Sequence, residues 1–360
     1  MNNKTTAMIC SLLLVFTVLA GCSGTTKNAA SGGAEGKPYE GTTLTVASYG
    51  GVFDEAVKKY VITKFEEETG AKVVLDPSYN YTKLAADNKN PSVDLIVLDD
   101  ARVIQGGEAG LLIKLDSSKI SNWSNVYPEM IDANQYGIAW CVGSYGIAYN
   151  KDKIQTPPTS WNDLWNPEYK GKVAINDLAS ANGSVQAFVG IAKMNGGDEK
   201  NMAPAFEKYK ELAPNLLTIA NSTPQMTDLL TREDIWIAPW WDGRALNLAS
   251  TKSNIGFVRP QEGAYATIVE TAIPVNAKNQ ELSYKFINML LEEDAQLGFA
   301  KDMFYGPTNK NVKLPDDLAK QVVYGEEGIK SLKNVDWKYV ATVRSEWINE
   351  WNQSIVPAMK

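Results

Sequence analysis

The chain has 360 residues, 44% of them apolar and 21% charged, which is long enough for two domains with sizeable cores and too apolar for a disordered protein. Its 35 basic and 42 acidic residues give a formal charge of -7 without any block of Lys and Arg, so the footprint of a nucleic-acid binder is missing. The absence of histidine removes His triads, His general bases and His metal ligands together, and neither a cofactor nor a metal site is expected.

Residues 1–21 read as a signal peptide: Lys4 supplies a basic start, and Ala7 to Ala20 an apolar run too short to span a bilayer. Leu19-Ala20-Gly21-Cys22 resembles the lipobox of bacterial lipoproteins, which implies cleavage before Cys22 and a lipid, palmitate included, on that cysteine. Residues 22–41 are rich in Gly, Ser, Thr, Ala and Lys and predict a flexible tether. Cys10 leaves with the peptide, so Cys141 is expected to be a buried small hydrophobe. No later stretch approaches transmembrane length, and the expectation is an extracytoplasmic body held on the membrane, at the cell surface or in the periplasm.

Thr43 to Ser48 predicts a strand, Tyr49-Gly50-Gly51 a turn, and Val52 to Thr69 an amphipathic helix ending at Gly70, followed by a strand from Ala71 to Leu75. Tyr49 falls at the carboxyl end of the first strand, where open α/β sheets bind ligands. A helix near Tyr81 to Asp87 precedes the strand Val93 to Leu98 and then Asp99-Asp100; Asp100 either caps the helix from Ala101 onward or faces a cation in a cleft. Tyr136 to Asn150 reads as one long strand and crosses between domains near Gly146 to Asn150. The βα rhythm then resumes with strand 173–176, helices 185–194 and 203–212, strand 216–220 and helix 224–231.

Ile235 to Arg244 is the most informative stretch. Ile235 to Ala238 predicts a buried strand and the run after Gly243 a helix, which sets Trp240, Trp241, Asp242 and Arg244 at a strand-to-helix junction. Adjacent residues on an extended chain point opposite ways, so one indole is expected in a pocket. Asp242 either meets a ligand or caps the helix, and Arg244 either pairs with a ligand carboxylate or is a surface ion pair. Tyr265 to Pro274, carrying Glu270, is a second long run that returns the chain to the first domain, and the rest is mainly helical. Two crossings imply two lobes: 42–147 with 271–305, and 148–270 with 306–360. Arg344, Trp347 and Trp351 lie at helical spacing and predict a helix packed on the body.

Ser160 to Gly171 (SWNDLWNPEYKG), Lys119 to Asn125 (KISNWSN) and Pro260 to Pro274 with its Gln-Glu-Gly and Ala-Ile-Pro resemble the solute-binding proteins of bacterial ABC importers, in the branch that includes the spermidine/putrescine binders. The resemblance covers nearly the whole mature chain. It implies a type II two-lobe α/β fold with two crossing strands and a central cleft, closing as a monomer on a small organic amine and delivering it to a membrane permease. Aromatics and carboxylates of that family hold polyamines; Tyr49 looks like the substitute for a first-strand Trp, and Trp240 or Trp241 falls at a sandwiching Trp. Thr267 and Val269 stand where polyamine binders carry Trp and Asp, Ala181 where they carry Glu, and Ala101 or Arg102 near a family Tyr. A second ligand class, a zwitterion such as an amino acid or 4-aminobutyrate, suits Asp242 or Glu270 for the ammonium and Arg244 for the carboxylate. Rivals from other classes are a carboxylate-based hydrolase using Asp99, Asp100, Asp177, Asp242 or Glu270, and a surface adhesin or sensor.

Overall fold

The computed structural model describes residues 37–87 and 90–359; the predicted signal peptide, Cys22 and most of the tether lie outside the described residues. Ten strands make one curled sheet: β1 (Thr43–Ala47), β2 (Lys72–Asp76), β3 (Leu95–Asp99), β4 (Ile138–Asn150), β5 (Val173–Asn176), β6 (Leu216–Ala220), β7 (Ile237–Trp241), β8 (Ile255–Val258), β9 (Tyr265–Ala272) and β10 (Gly306–Pro307). The order is β2-β1-β3-β9-β4-β7-β5-β6, with β8 and β10 also paired to β4. The outer strands are parallel on both sides, β2 and β3 on β1, β6 and β7 on β5, and helices make the return trips that parallel strands require.

The first return trip is the helical run from Gly51 to Thr69, which passes through a π-type turn at Lys58–Ile62 and stops at Gly70 with φ 77°. Only glycine adopts that left-handed conformation without strain, which is why the sequence stops the helix there. Phe53, Phe65, Trp140, Phe286 and Phe299 form a first hydrophobic core, and Tyr145, Trp161, Phe188, Trp347 and Trp351 a second. The chain is therefore a two-lobe α/β protein, with β4 and β9 running antiparallel through the middle.

The crossings differ in position from the sequence expectation. On β4, Ile138 to Val142 belong to the first core and Tyr145, Ile147 and Tyr149 to the second; on β9, Tyr265 belongs to the second and Ala266, Ile268 and Val269 to the first. A strand buried along all its length carries no mark of where it changes lobes. Residues 306–332, expected with the second lobe, pack with the first through Val323, Ile329 and Leu332. The chain then crosses a third time beside β9, where the Lys333 amide donates to the Ala264 carbonyl (2.8 Å) and the Ala266 amide to the Lys333 carbonyl (2.9 Å). It reaches the helix Trp337–Ser354, whose Trp347 and Trp351 are buried as their spacing predicts.

Along β4 the partners change hands: β9 pairs as far as Tyr145 and β8 takes over from Ile147. Gly146 lies at the handover, and a Cβ there would stand 2.6 Å from the Val258 carbonyl oxygen. Backbone cannot swing aside as a side chain can. Gly146→Ala is expected to destabilise the protein by about 1–3 kcal/mol, read as a lowered urea midpoint with an unchanged slope.

Candidate functional site

The carboxyl ends of β1, β3 and β7 open on a cleft of two adjoining chambers, of about 420 and 500 Å³, which share Tyr49, Arg244 and Tyr305 as a common wall. Tyr49 reaches it because Gly50 and Gly51 turn the chain at φ 79° and 59°, and its ring rests edge-on to Phe53 at 5.0 Å. It stays 48% exposed, so it is presented to the cleft rather than absorbed into the core.

The larger chamber has the acidic wall. Asp99 is the N-cap of the helix Asp100–Glu108 and accepts from the Arg102 amide at 2.9 Å, so the capping role open to Asp100 in the sequence falls one residue earlier. Asp100 is left to line the chamber. Burial, and then the charge of neighbouring Asp99, push its carboxyl up to about 7; the Trp337 indole N–H, donating to Oδ2 at 2.8 Å, pulls the other way. Trp241 lines the same chamber, edge-on to Tyr145 at 5.2 Å. Tyr145 is itself fixed, donating to the Pro239 carbonyl (3.1 Å) and accepting from Asn176 Nδ2 (2.8 Å). Ala181, Thr267 and Val269 also line this chamber, and Asp99 and Asp100 are its lining carboxylates.

Trp240 points the other way from Trp241, as alternation requires, and contributes to the smaller chamber while packing on Ala148, Met226 and Leu230 at 1% exposure. Of the two indoles, Trp241 is the half-buried one on the larger chamber and Trp240 the core one, with only an edge reaching the smaller chamber. Arg244, in the first turn of the helix Asp242–Thr251, is exposed and lines both chambers, and its guanidinium makes no hydrogen bond or ion pair with another described residue.

Two expected site residues are engaged elsewhere. Asp242 is 1% exposed and lines neither chamber; it accepts from Ser144 Oγ (2.7 Å), the Gly143-adjacent space leaving room for it, from the Gly243 amide (2.7 Å) and from the Arg259 guanidinium (3.0 Å). Burial raises its pKa while Arg259 opposes the rise; the pair ties the start of the helix to the end of β8, and Ser144 ties both to β4. Nothing near Asp242 in sequence marks Arg259 as its partner. Glu270 is also buried, beyond the wall made by Thr267 to Val269, in room left by the missing side chain of Gly137. Its Oε2 has no hydrogen-bond partner among the described residues, and burial, then the charge of Asp100, push its carboxyl well above the usual range, which favours the protonated form. Sequence reasoning also missed Tyr305, which reads locally as a turn residue, and Trp337, which no sequence pattern singles out.

The family profile of bacterial extracellular solute-binding proteins matches residues 60–324. The chain belongs to this family. The spermidine/putrescine-binding periplasmic protein of Escherichia coli K12 is similar to this binding protein at 28% identity over 319 residues, spanning 84% of this chain and 89% of the relative. The gamma-aminobutyric acid-binding protein of Pseudomonas aeruginosa is 24% identical over 309 residues, spanning 82% and 86%. A crystal structure of an ABC transporter protein from Clostridium perfringens superposes with a TM-score of 0.73 at 31% identity, covering 87% of this chain and 99% of that one. This binding protein is thus the solute-binding component of an ABC importer and not an enzyme, and the hydrolase alternative is set aside. Among the described residues no helix is long and apolar enough to cross a membrane.

The elevated Asp100 makes a pH prediction. Its ordinary pKa is 3.8 and its folded one about 7, so between those values the fold holds a proton that the unfolded chain has released, and stability drawn from this group falls as pH rises. Asp100→Asn removes that fall. The variant is expected to gain stability relative to the parent between about pH 4 and about pH 8, measured as the difference in urea midpoints at the two ends.

Proposed function

We propose that this binding protein captures a small organic amine of the polyamine kind. The observation that carries the reading is the Asp99-Asp100 carboxylate pair at one side of a chamber walled by Trp241, Tyr49 and Tyr305. An ammonium beside Asp100 makes a charge-assisted hydrogen bond of about 1.5–3 kcal/mol, and each aromatic face adds about 0.5–2 kcal/mol. A few such contacts reach micromolar affinity, about -8 kcal/mol. An incoming cation also favours the ionised form of Asp100, so capture shifts the carboxyl's proton to solvent.

In this reading the lobes, each built on one of the two cores, close about β4, β9 and the third crossing, and the closed monomer hands its ligand to the permease. A lipid on Cys22 after removal of residues 1–21 would hold the body at the membrane by the tether 22–41. Support for that anchoring comes from the lipobox pattern alone.

A second reading, a zwitterion of the 4-aminobutyrate or amino-acid type, is favoured by one observation: the Arg244 guanidinium stands unpaired between the chambers. Its acidic partner would be Asp100, since Asp242 is already held by Arg259. Calorimetric titration with putrescine, spermidine and 4-aminobutyrate separates the two. The amine reading expects diamine binding that Asp100→Asn weakens at least about tenfold and Arg244→Ala leaves nearly intact. Binding of 4-aminobutyrate alone, abolished by Arg244→Ala, replaces it with the zwitterion.

A further inference from the structure

The helix Trp337–Ser354 begins directly after the third crossing, and its first turn is held in place from three directions. Asp336 caps it by accepting from the Tyr339 amide at 3.0 Å, the Trp337 amide donates back to the Val335 carbonyl at 2.9 Å, and the Trp337 ring is buried in the second core with Val335 and Val340. The orientation of that indole is therefore fixed by the second lobe. Its N–H nevertheless finds its acceptor on Asp100, which follows β3 of the first lobe and lines the cleft. Around this bond the first helix's Ala101 and Ile104 pack on the second core, and Lys338 Nζ lies 2.9 Å from Glu108 Oε1.

Asp100 has one oxygen engaged by a donor that belongs to the other lobe and a face turned to the ligand chamber. A buried indole N–H without an acceptor is costly, so the bond locks the carboxylate rotamer as firmly as it satisfies Trp337. We propose that Trp337 is the positioning residue for the cleft carboxylate: from the second lobe it aims Asp100 at the ligand's ammonium and couples that carboxylate to the relative placement of the lobes. The proposal rests on the cleft being the ligand site, but the bond itself exists without ligand. The titratable and charged groups around Asp100 are Asp99 beside it, Glu270 on β9, and Tyr49 and Arg244 on the chamber wall, with Arg102 and then Arg344 of the C-terminal helix acting on Asp99.

The test uses nuclear magnetic resonance of the ligand-free protein, following the Asp100 carboxyl carbon and the Trp337 indole N–H from about pH 5 to about pH 9. In the parent both signals should move with one midpoint. In Trp337→Phe, which keeps a ring in the core but loses the donor, the Asp100 midpoint should rise by about one pH unit; in Asp100→Asn the indole should lose its pH dependence. An Asp100 midpoint unmoved in Trp337→Phe, or an indole indifferent to Asp100→Asn, overturns the proposal. The second arm measures putrescine affinity. Trp337→Phe should bind more weakly at both pH values, about tenfold at about pH 6, where Asp100 must also release its proton, and by a smaller factor at about pH 9, where the ionised carboxylate has lost only the donor that aims it. Normal affinity at about pH 9, or an equal loss at both pH values, would contradict the positioning role. If putrescine binds neither protein, the amine reading fails, and the ligand-free titration still decides the role of Trp337.

Discussion

The backbone pairing of β4 with β9 is the constraint on which the rest depends. Both strands are buried almost throughout, and each contributes side chains to both cores, so neither lobe can be built without the two strands lying in register. That requirement sets the carboxyl ends of β3 and β7 on either side of a gap, and the gap is the cleft. It also explains where glycine is needed: Gly143 leaves room for Asp242, Gly146 for the Val258 carbonyl, and Gly137 for Glu270. Long extended connections tolerate small changes of backbone angle spread over several residues, which makes them suitable hinges.

Electrostatics divides the acidic residues of the cleft region into kinds that a sequence does not distinguish. Asp242 is buried with Arg259 and Ser144 around it, an arrangement that fixes geometry more than it adds stability. Glu270 is buried with its Oε2 unpaired among the described residues, and burial favours its protonated form. Asp100 alone combines a chamber-facing position with a carboxyl balanced near neutrality, where a cation's arrival changes its charge state. The three differ in what lies across from them in space, contributed by β8, by Gly137 and by the C-terminal helix.

Most elements were legible because their patterns are local. The alternation of Thr43 to Ala47, the amphipathic run ending at Gly70, and the stripe of Trp347 and Trp351 predict β1, the first helix and the last helix closely. The cleft was half legible. Tyr49, Asp100, Trp240, Trp241 and Arg244 lie on it because strand ends are visible in sequence, whereas Asp242 and Glu270 were misjudged because their surroundings come from distant residues. The third crossing at Lys333 was invisible for the same reason: two backbone hydrogen bonds made beside β9 leave no side-chain signature. Trp337 carries no mark in the sequence, and only the third dimension shows a core tryptophan whose N–H belongs to Asp100.

Closure of the lobes on an amine is the central claim, and the distance across the cleft tests it most directly. Spin labels on exposed positions of the two lobes, Lys83 in the first and Asn221 in the second, report that distance by electron–electron resonance. Saturating putrescine or spermidine should shorten and narrow the distance distribution, and Asp100→Asn should need a higher amine concentration for the same change. A distribution that stays the same although calorimetry records amine binding would contradict the account, because the amine would then be held without the hinge.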